Sequence, residues 1–182
     1  NMLIEKGYRN IIVADIAGPG FNRKMIDKNI YLKVISPKED LGGMFEFNQD
    51  RIKNNKIPSN FSGTKIIQFS DLHYGTTFFE KQLKKMVKEI NDRNPDLVVF
   101  TGDLIDKNYK VSSEEIEMIN KYLSRIKTKL GKYAVSGEED GDEFTTIMNQ
   151  SGFTILNNNY EIIYNDGNEE IYMASADWMP RN

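Results

Sequence analysis

The sequence has no cysteine, which excludes disulfides, zinc fingers and thiol chemistry and fits a reducing compartment. Long hydrophobic runs are missing too. The longest, such as Leu97-Val-Val-Phe100, are far too short to cross a bilayer, and the opening "NMLIEKGYRN" lacks the apolar core of a signal peptide. The expected setting is therefore cytoplasmic, with any membrane association made through surface contact. Neither charge sign is in excess: 24 Lys and Arg against 27 Asp and Glu give −3, so no general affinity for nucleic acid or other polyanions follows. Histidine is nearly absent, His73 being the single one. What remains is ordinary. With 39% hydrophobic and 28% charged residues over 182 positions, the chain suits one sizeable globular domain, or one domain and part of another.

Two regions differ in regularity. In the first, "NIIVAD" (10–15) and "YLKVI" (31–35) read as short strands, with a "GPG" loop at 18–20 between them. The run "SPKEDLGGMFEFNQDRIKNN" turns at Gly42-Gly43 and is otherwise weakly helical, and "KIPSNFSG" (56–63) reads as a linker or boundary. From Thr64 the pattern becomes regular. "KIIQFS" is a strand, and a helix follows with Phe79, Leu83, Met86, Val87 and Ile90 on one face. Leu97–Thr101 is almost wholly apolar, as expected of a parallel strand covered on both faces.

Ser112 and Glu115 predict a capping box. The helix it opens buries Ile116, Ile119, Leu123 and Ile126 and ends at Gly131. Lys132–Ser136 is a third strand and 142–150 a short helix. Strands are then expected near 154–156, 160–164 and 170–174, with an Asp166-Gly167 hairpin turn joining the last two. The result is an α/β chain.

Open α/β sheets present ligands beyond the carboxyl ends of their strands, and three polar elements sit there: "SDLHYG", "TGDLID" and "VSGEED". Asp71 and His73, two apart, point to the same side in extended backbone. A carboxylate beside an imidazole suits Mn, Fe or Zn better than Ca or Mg. An isolated D-x-H is more often an ordinary turn, and Gly-Asp is among the commonest turn pairs. At successive strand ends the two together outweigh chance, and Asp103 then stands where it can bridge two metals. "EEDGDE" (138–143) reads equally well as a solvated acidic loop. Lys81, Lys84, Lys85 and Lys88 form a basic helix face that is most simply solvated.

The three elements resemble, in order, the motifs of the calcineurin-like metallophosphoesterases: D-x-H, G-D-x-x-D/H and G-N-H-D/E. The resemblance covers roughly residues 56–178. It implies a partial sheet sandwich with flanking helices, preceded by a short α/β segment. The implied activity is hydrolysis of a phosphomonoester or phosphodiester by metal-bound hydroxide at a dinuclear Mn, Fe or Zn centre. Asp71, His73 and Asp103 carry over as metal ligands. Glu138 stands where the family has its Asn ligand. Glu139 stands where the family has the His that protonates the leaving group, a role needing a raised carboxyl pKa. The family's further histidines, one alone and then G-H-x-H, have no counterpart among the 182 residues. The resemblance therefore implies an incomplete domain over 56–182 and an impaired centre, or a scaffold that binds a partner without catalysis.

Residues 2–55 resemble the later part of a bacterial patatin-like phospholipase, through "LIEKGYRNIIVADIAGPG" and "ISPKEDLGGMFEFNQDRIKNN". Neither G-x-S-x-G nor D-G-G/A occurs, so no acyl-hydrolase residue carries over. The expected division is a patatin-like segment at 1–55 joined to the phosphoesterase domain, as in a fusion or an excerpt.

Overall fold

A computed structural model describes residues 11–14, 30–38, 44–52, 56–76, 78–167 and 169–175. Nine strands and three α-helices lie among the described residues. In chain order these are β1 (Ile11–Ala14), β2 (Ile30–Lys38), β3 (Met44–Ile52), β4 (Lys65–Phe69), α1 (Glu80–Asp92), β5 (Leu97–Phe100), α2 (Ser113–Leu123), β6 (Lys132–Ala134), α3 (Asp142–Gln150), β7 (Thr154–Ile155), β8 (Tyr160–Tyr164) and β9 (Glu170–Ser175).

β4, β5 and β6 are each followed by a helix that returns the chain to the same end, so β4, β5, β6 and β7 pair in parallel. They form one sheet with β2 and β3, in the order β3-β2-β4-β5-β6-β7. A second sheet has the order β1-β9-β8, with β8 and β9 antiparallel across Asp166-Gly167, both at positive φ.

Side chains alternate across the large sheet, and each face has its own core. Ile67, Phe69, Val98, Phe100 and Ala134 pack with the buried stripes of the helices. Ile66, Leu97, Val99 and Tyr133, one residue out of step, pack with Ile163, Ile171 and Met173 of the small sheet. The layers are thus helices, large sheet, small sheet, the sandwich with flanking helices expected from the sequence. Each residue of β5 is buried, as its apolar run predicted.

The helices have 13, 11 and 9 residues, lengths marginal in isolation, so packing holds them. α1 buries Leu83, Met86, Val87 and Ile90. α2 buries Ile119 and Leu123 behind the predicted capping box. There Ser112 Oγ accepts from Glu115 N at 3.2 Å, and Ser112 N donates to Glu115 Oε2 at 2.9 Å. No helix among the described residues is long and apolar enough to cross a membrane.

Several expectations need correction. Residues 44–52 form a strand rather than weak helix, because β3 pairs along its whole length with β2 from Ile30↔Ile52 to Lys38↔Met44. Phe79 precedes α1 and is exposed; Phe78 is the buried member of the pair. α2 ends at Leu123, well before Gly131, because the following loop docks on β5. Lys129 N and Leu130 N both donate to Asp96 O, at 3.1 and 2.7 Å. Strands on either side of residues 56–63 pair with one another, β2 with β4 and β1 with β9. The "GPG" loop at 18–20 lies outside the described residues.

Candidate metal centre

Beyond β4 and β5 the two connecting loops stay side by side. Asp71 N donates to Gly102 O at 3.0 Å, His73 N to Asp103 O at 3.0 Å, Tyr74 N to Leu104 O at 2.9 Å and Asp106 N to Tyr74 O at 3.1 Å. This lattice holds the first two motifs in register on backbone alone. Asp71, His73 and Asp103 sit at φ +53°, +42° and +61°, left-handed conformations that cost a non-glycine residue roughly 1–3 kcal/mol each. Three such residues at consecutive strand ends mark a place where side-chain direction outranks backbone comfort.

The third loop joins by close approach. A Cβ on Gly102 would meet Gly137 N at 2.4 Å, and one on Gly137 would meet Asp103 Oδ1 at 2.2 Å. Glycine at both positions lets the loop after β6 lie directly on Asp103.

The side chains converge in two groups. Asp71, His73 and Asp103 place one ligand atom each within 4.8 Å of one another, and so do His73, Asp106 and Glu139. Asp71 is exposed, while His73 and Asp103 are half-buried, so the group opens to solvent and to a substrate. Ser70 Oγ donates to Asp71 Oδ2. Glu139 N donates to Asp103 Oδ1 at 3.1 Å. One nitrogen among carboxylate oxygens is a donor set that fits Mn, Fe or Zn.

Of the five residues singled out from sequence, the structure brings together Asp71, His73 and Asp103, with Glu139 beside His73. Glu138 is exposed and belongs to neither group. Glu139, expected to protonate a leaving group, has surroundings that oppose that role. Its Oε1 accepts from Lys107 Nζ at 2.9 Å, and its Oε2 lies 3.3 Å from His73 Nδ1. The hydrogen bond from Lys107, helped by the charges of Lys107 and His73 and resisted by burial, holds the Glu139 carboxyl below the usual carboxylate range.

Asp140 is a residue that sequence reasoning missed. Its Oδ2 accepts from Asp103 N at 2.9 Å and Gly137 N at 2.8 Å, and its Oδ1 from Leu104 N at 2.8 Å. One carboxylate thereby staples the second motif to the third. Burial pushes its pKa up, although the three N–H donors pull it down. Its signal was available: Asp140 is the acidic residue that closes the third motif.

A second buttress lies behind the loops. Tyr74 and Tyr109 both donate to Glu115 Oε1, at 3.3 and 2.6 Å, so the capping glutamate of α2 also clamps the first motif to the loop that follows the second. Burial, then Glu115, pushes the Tyr74 pKa up to about 12.

Residues 64–179 match the model of a known family, calcineurin-like phosphoesterase. The chain is 34% identical over 139 residues to the uncharacterized metallophosphoesterase YkuE of Bacillus subtilis, covering 74% of this chain and 48% of that protein. It is 26% identical over 126 residues to a zebrafish (Danio rerio) transmembrane protein with metallophosphoesterase domain, covering 66% of this chain and 28% of that one. It is also 32% identical over 88 residues to the UDP-2,3-diacylglucosamine pyrophosphatase LpxG of Chlamydia muridarum, covering 47% of this chain and 26% of the other. The chain thus spans about half, or less, of the length of these relatives. No solved structure matches it.

Proposed function

We propose, from the premise that this chain belongs to the calcineurin-like phosphoesterase family, that the ends of β4, β5 and β6 form a metal-dependent centre for phosphate-ester hydrolysis. The observation that carries the reading is the convergence of Asp71, His73 and Asp103 within 4.8 Å on backbone held in register. A divalent cation held there, Mn, Fe or Zn by donor chemistry, supplies a Lewis acid for the phosphoryl oxygens and lowers the pKa of water.

The protein's own residues supply position and charge. Asp103 spends Oδ1 on the Glu139 amide, which orients the carboxylate and leaves Oδ2 for a cation. Asp71 is oriented by Ser70. His73 offers the one imidazole in the chain. Glu138, exposed on the same loop, reaches a cation only by moving, so its expected ligand role is the weakest of the set.

Glu139, ionised by its pairing with Lys107, is a charge partner rather than a proton donor. With Glu139 held ionised rather than acting as a proton donor, the described residues favour esters whose leaving group departs as a stable anion, such as aryl phosphates or diphosphate esters. Alkyl esters are expected to turn over slowly, which is the sense in which the centre is impaired. That one relative is named a pyrophosphatase supports this substrate class.

The test is hydrolysis of p-nitrophenyl phosphate and bis-p-nitrophenyl phosphate with added Mn, beside Asp103→Asn. Loss of one ligating carboxylate is expected to lower turnover by a factor on the order of 100 or more. Unchanged turnover in that variant would defeat the proposal. A second reading, a binding scaffold, draws on the Lys107–Glu139 ion pair, which places an ammonium beside His73. It predicts cation binding with no hydrolysis of either ester.

A further inference from the structure

We infer that the outward face of α1, with Phe79 at its head, is a docking surface for an anionic lipid bilayer. The inference stands apart from the hydrolytic reading: it concerns the surface on which the chain sits, not the bond it cleaves.

Helical periodicity divides α1 into two faces. Leu83, Met86, Val87 and Ile90 are buried in the core between helices and sheet. Opposite them stand Lys81, Lys84, Lys85 and Lys88, all exposed, along two turns or about 10 Å of helix. Sequence alone leaves such a stripe as a solvated face. Two structural observations give it a partner.

The first is its charge balance. α1 carries three carboxylates, and each is engaged. Glu80 accepts from the Tyr122 hydroxyl at 2.8 Å, Glu89 pairs with Arg93 at 2.6 Å, and Asp92 pairs with Lys88. Lys81, Lys84 and Lys85 have no carboxylate partner among the described residues. Three unneutralised ammonium groups therefore share one side of one helix in a chain whose net charge is −3.

The second is Phe79. Periodicity assigns it to the buried face, yet Phe78 takes that place and Phe79 is 41% exposed. Its position is fixed: Phe79 N donates to Gln82 Oε1 at 3.3 Å, and its ring meets that of Tyr74 edge-on, with centroids 5.9 Å apart. An apolar ring held in water gains by entering an apolar phase, and this one precedes the first residue of the basic helix. Lysines for headgroups and an aromatic for the acyl boundary are what a bilayer surface binds. A nucleic-acid strand calls instead for a groove that tracks its backbone and for several stacking rings. Tyr74 adjoins His73, so docking sets the lipid surface beside the candidate metal centre.

The experiment is co-sedimentation of the whole chain with vesicles of phosphatidylcholine, alone or with about a third phosphatidylglycerol. Wild type is compared with the triple variant Lys81→Gln, Lys84→Gln, Lys85→Gln, with Phe79→Ala, and with Lys110→Gln, Lys121→Gln, Lys127→Gln, which changes the net charge equally. Each is checked for an unchanged thermal melt. Wild type is expected to bind only the anionic vesicles. It should release them as salt rises from about 0.1 to about 1 M, which shortens the screening length from roughly 10 to roughly 3 Å. Each lysine near an anionic leaflet contributes roughly a fivefold factor, so the α1 triple variant should bind about 100-fold more weakly. Phe79→Ala should weaken binding on the order of fivefold, and the control triple variant should bind the vesicles as wild type does. Failure of wild type to bind anionic vesicles, or equal loss in the two triple variants, would overturn the inference. So would binding of a single-stranded oligonucleotide that matches vesicle binding and is lost in the same variants, since the face would then be a nucleic-acid surface. None of these readouts requires ester turnover, so failure here is distinct from failure of the hydrolytic proposal.

Discussion

Replacing Asp140 by alanine removes three acceptor contacts at once and leaves Asp103 N, Leu104 N and Gly137 N without their partner. A hydrogen bond to a charged acceptor contributes about 1.5–3 kcal/mol, and an orphaned donor costs about 1–3 kcal/mol. The three do not add fully. Burial already raises the Asp140 pKa, so the carboxylate pays a desolvation penalty that the alanine variant recovers. The net loss should fall near 3–5 kcal/mol, the range for removing one member of a buried charged network. Asparagine keeps the shape and one acceptor oxygen but turns an NH2 toward at least one N–H, so its cost should be about 1–2 kcal/mol.

Urea unfolding followed by circular dichroism reads both. With a slope near 2 kcal/mol per molar for a chain of this size, alanine should lower the midpoint by roughly 1.5–2.5 M and asparagine by under about 1 M. The asparagine variant, still folded, should bind Mn roughly 10–100-fold more weakly, because Asp140 positions the backbone of the ligand Asp103. An alanine variant within about 0.5 kcal/mol of wild type, the scatter of ordinary surface changes, would refute the staple. Equal costs for alanine and asparagine would show that charge, not acceptor geometry, is what matters.

Gly102→Ala is expected to fail as a silent change. Its φ of +97° and a Cβ placed 2.4 Å from Gly137 N force two backbones apart, so metal affinity should fall together with stability; a variant that binds Mn normally would contradict the close approach. Lys132 offers a pH test: its Nζ donates to Ser151 O at 2.5 Å and Leu123 O at 3.3 Å, above the Phe153 ring, and burial lowers its pKa from 10.5. The folded chain therefore gives up this proton before the unfolded chain does, so stability should rise with pH from the lowered folded value up to about 10.5. Lys132→Met should remove that rise, and parallel urea midpoints for the two proteins at pH 8, 9 and 10 would refute it.

Sequence legibility follows the range of the forces involved. β4, β5 and the stripe Leu83, Met86, Val87, Ile90 were readable because each repeats a period set by its own element. The Ser112–Glu115 cap was readable because capping is local. β3 was not, since "MFEFNQDRI" becomes a strand by pairing with β2, a contact that local propensity does not encode. The end of α2 is not legible locally for the same reason, because the carbonyl of Asp96, just before β5, accepts from Lys129 N and Leu130 N in the loop that follows. At the site, Asp71, His73 and Asp103 stood out by motif spacing. Asp106 closes the same G-D-x-x-D/H spacing, but its meeting with Glu139, and that of Lys107 with Glu139, depends on how two loops cross.

The third motif separates frame from chemistry. Gly137 and Asp140 do the work of docking: the glycine admits Asp103 against the backbone, and the aspartate ties three amides. Neither task involves the side chains between them. Glu138 and Glu139 can therefore differ from the family's Asn and His while the loop keeps its place. Their cost is electrostatic instead. Asp71, Asp103, Asp106 and Glu139 gather around one histidine and one lysine, an excess of negative charge that repels itself unless cations enter. The third motif thus keeps the frame of the loop intact while placing an excess of negative charge beside His73.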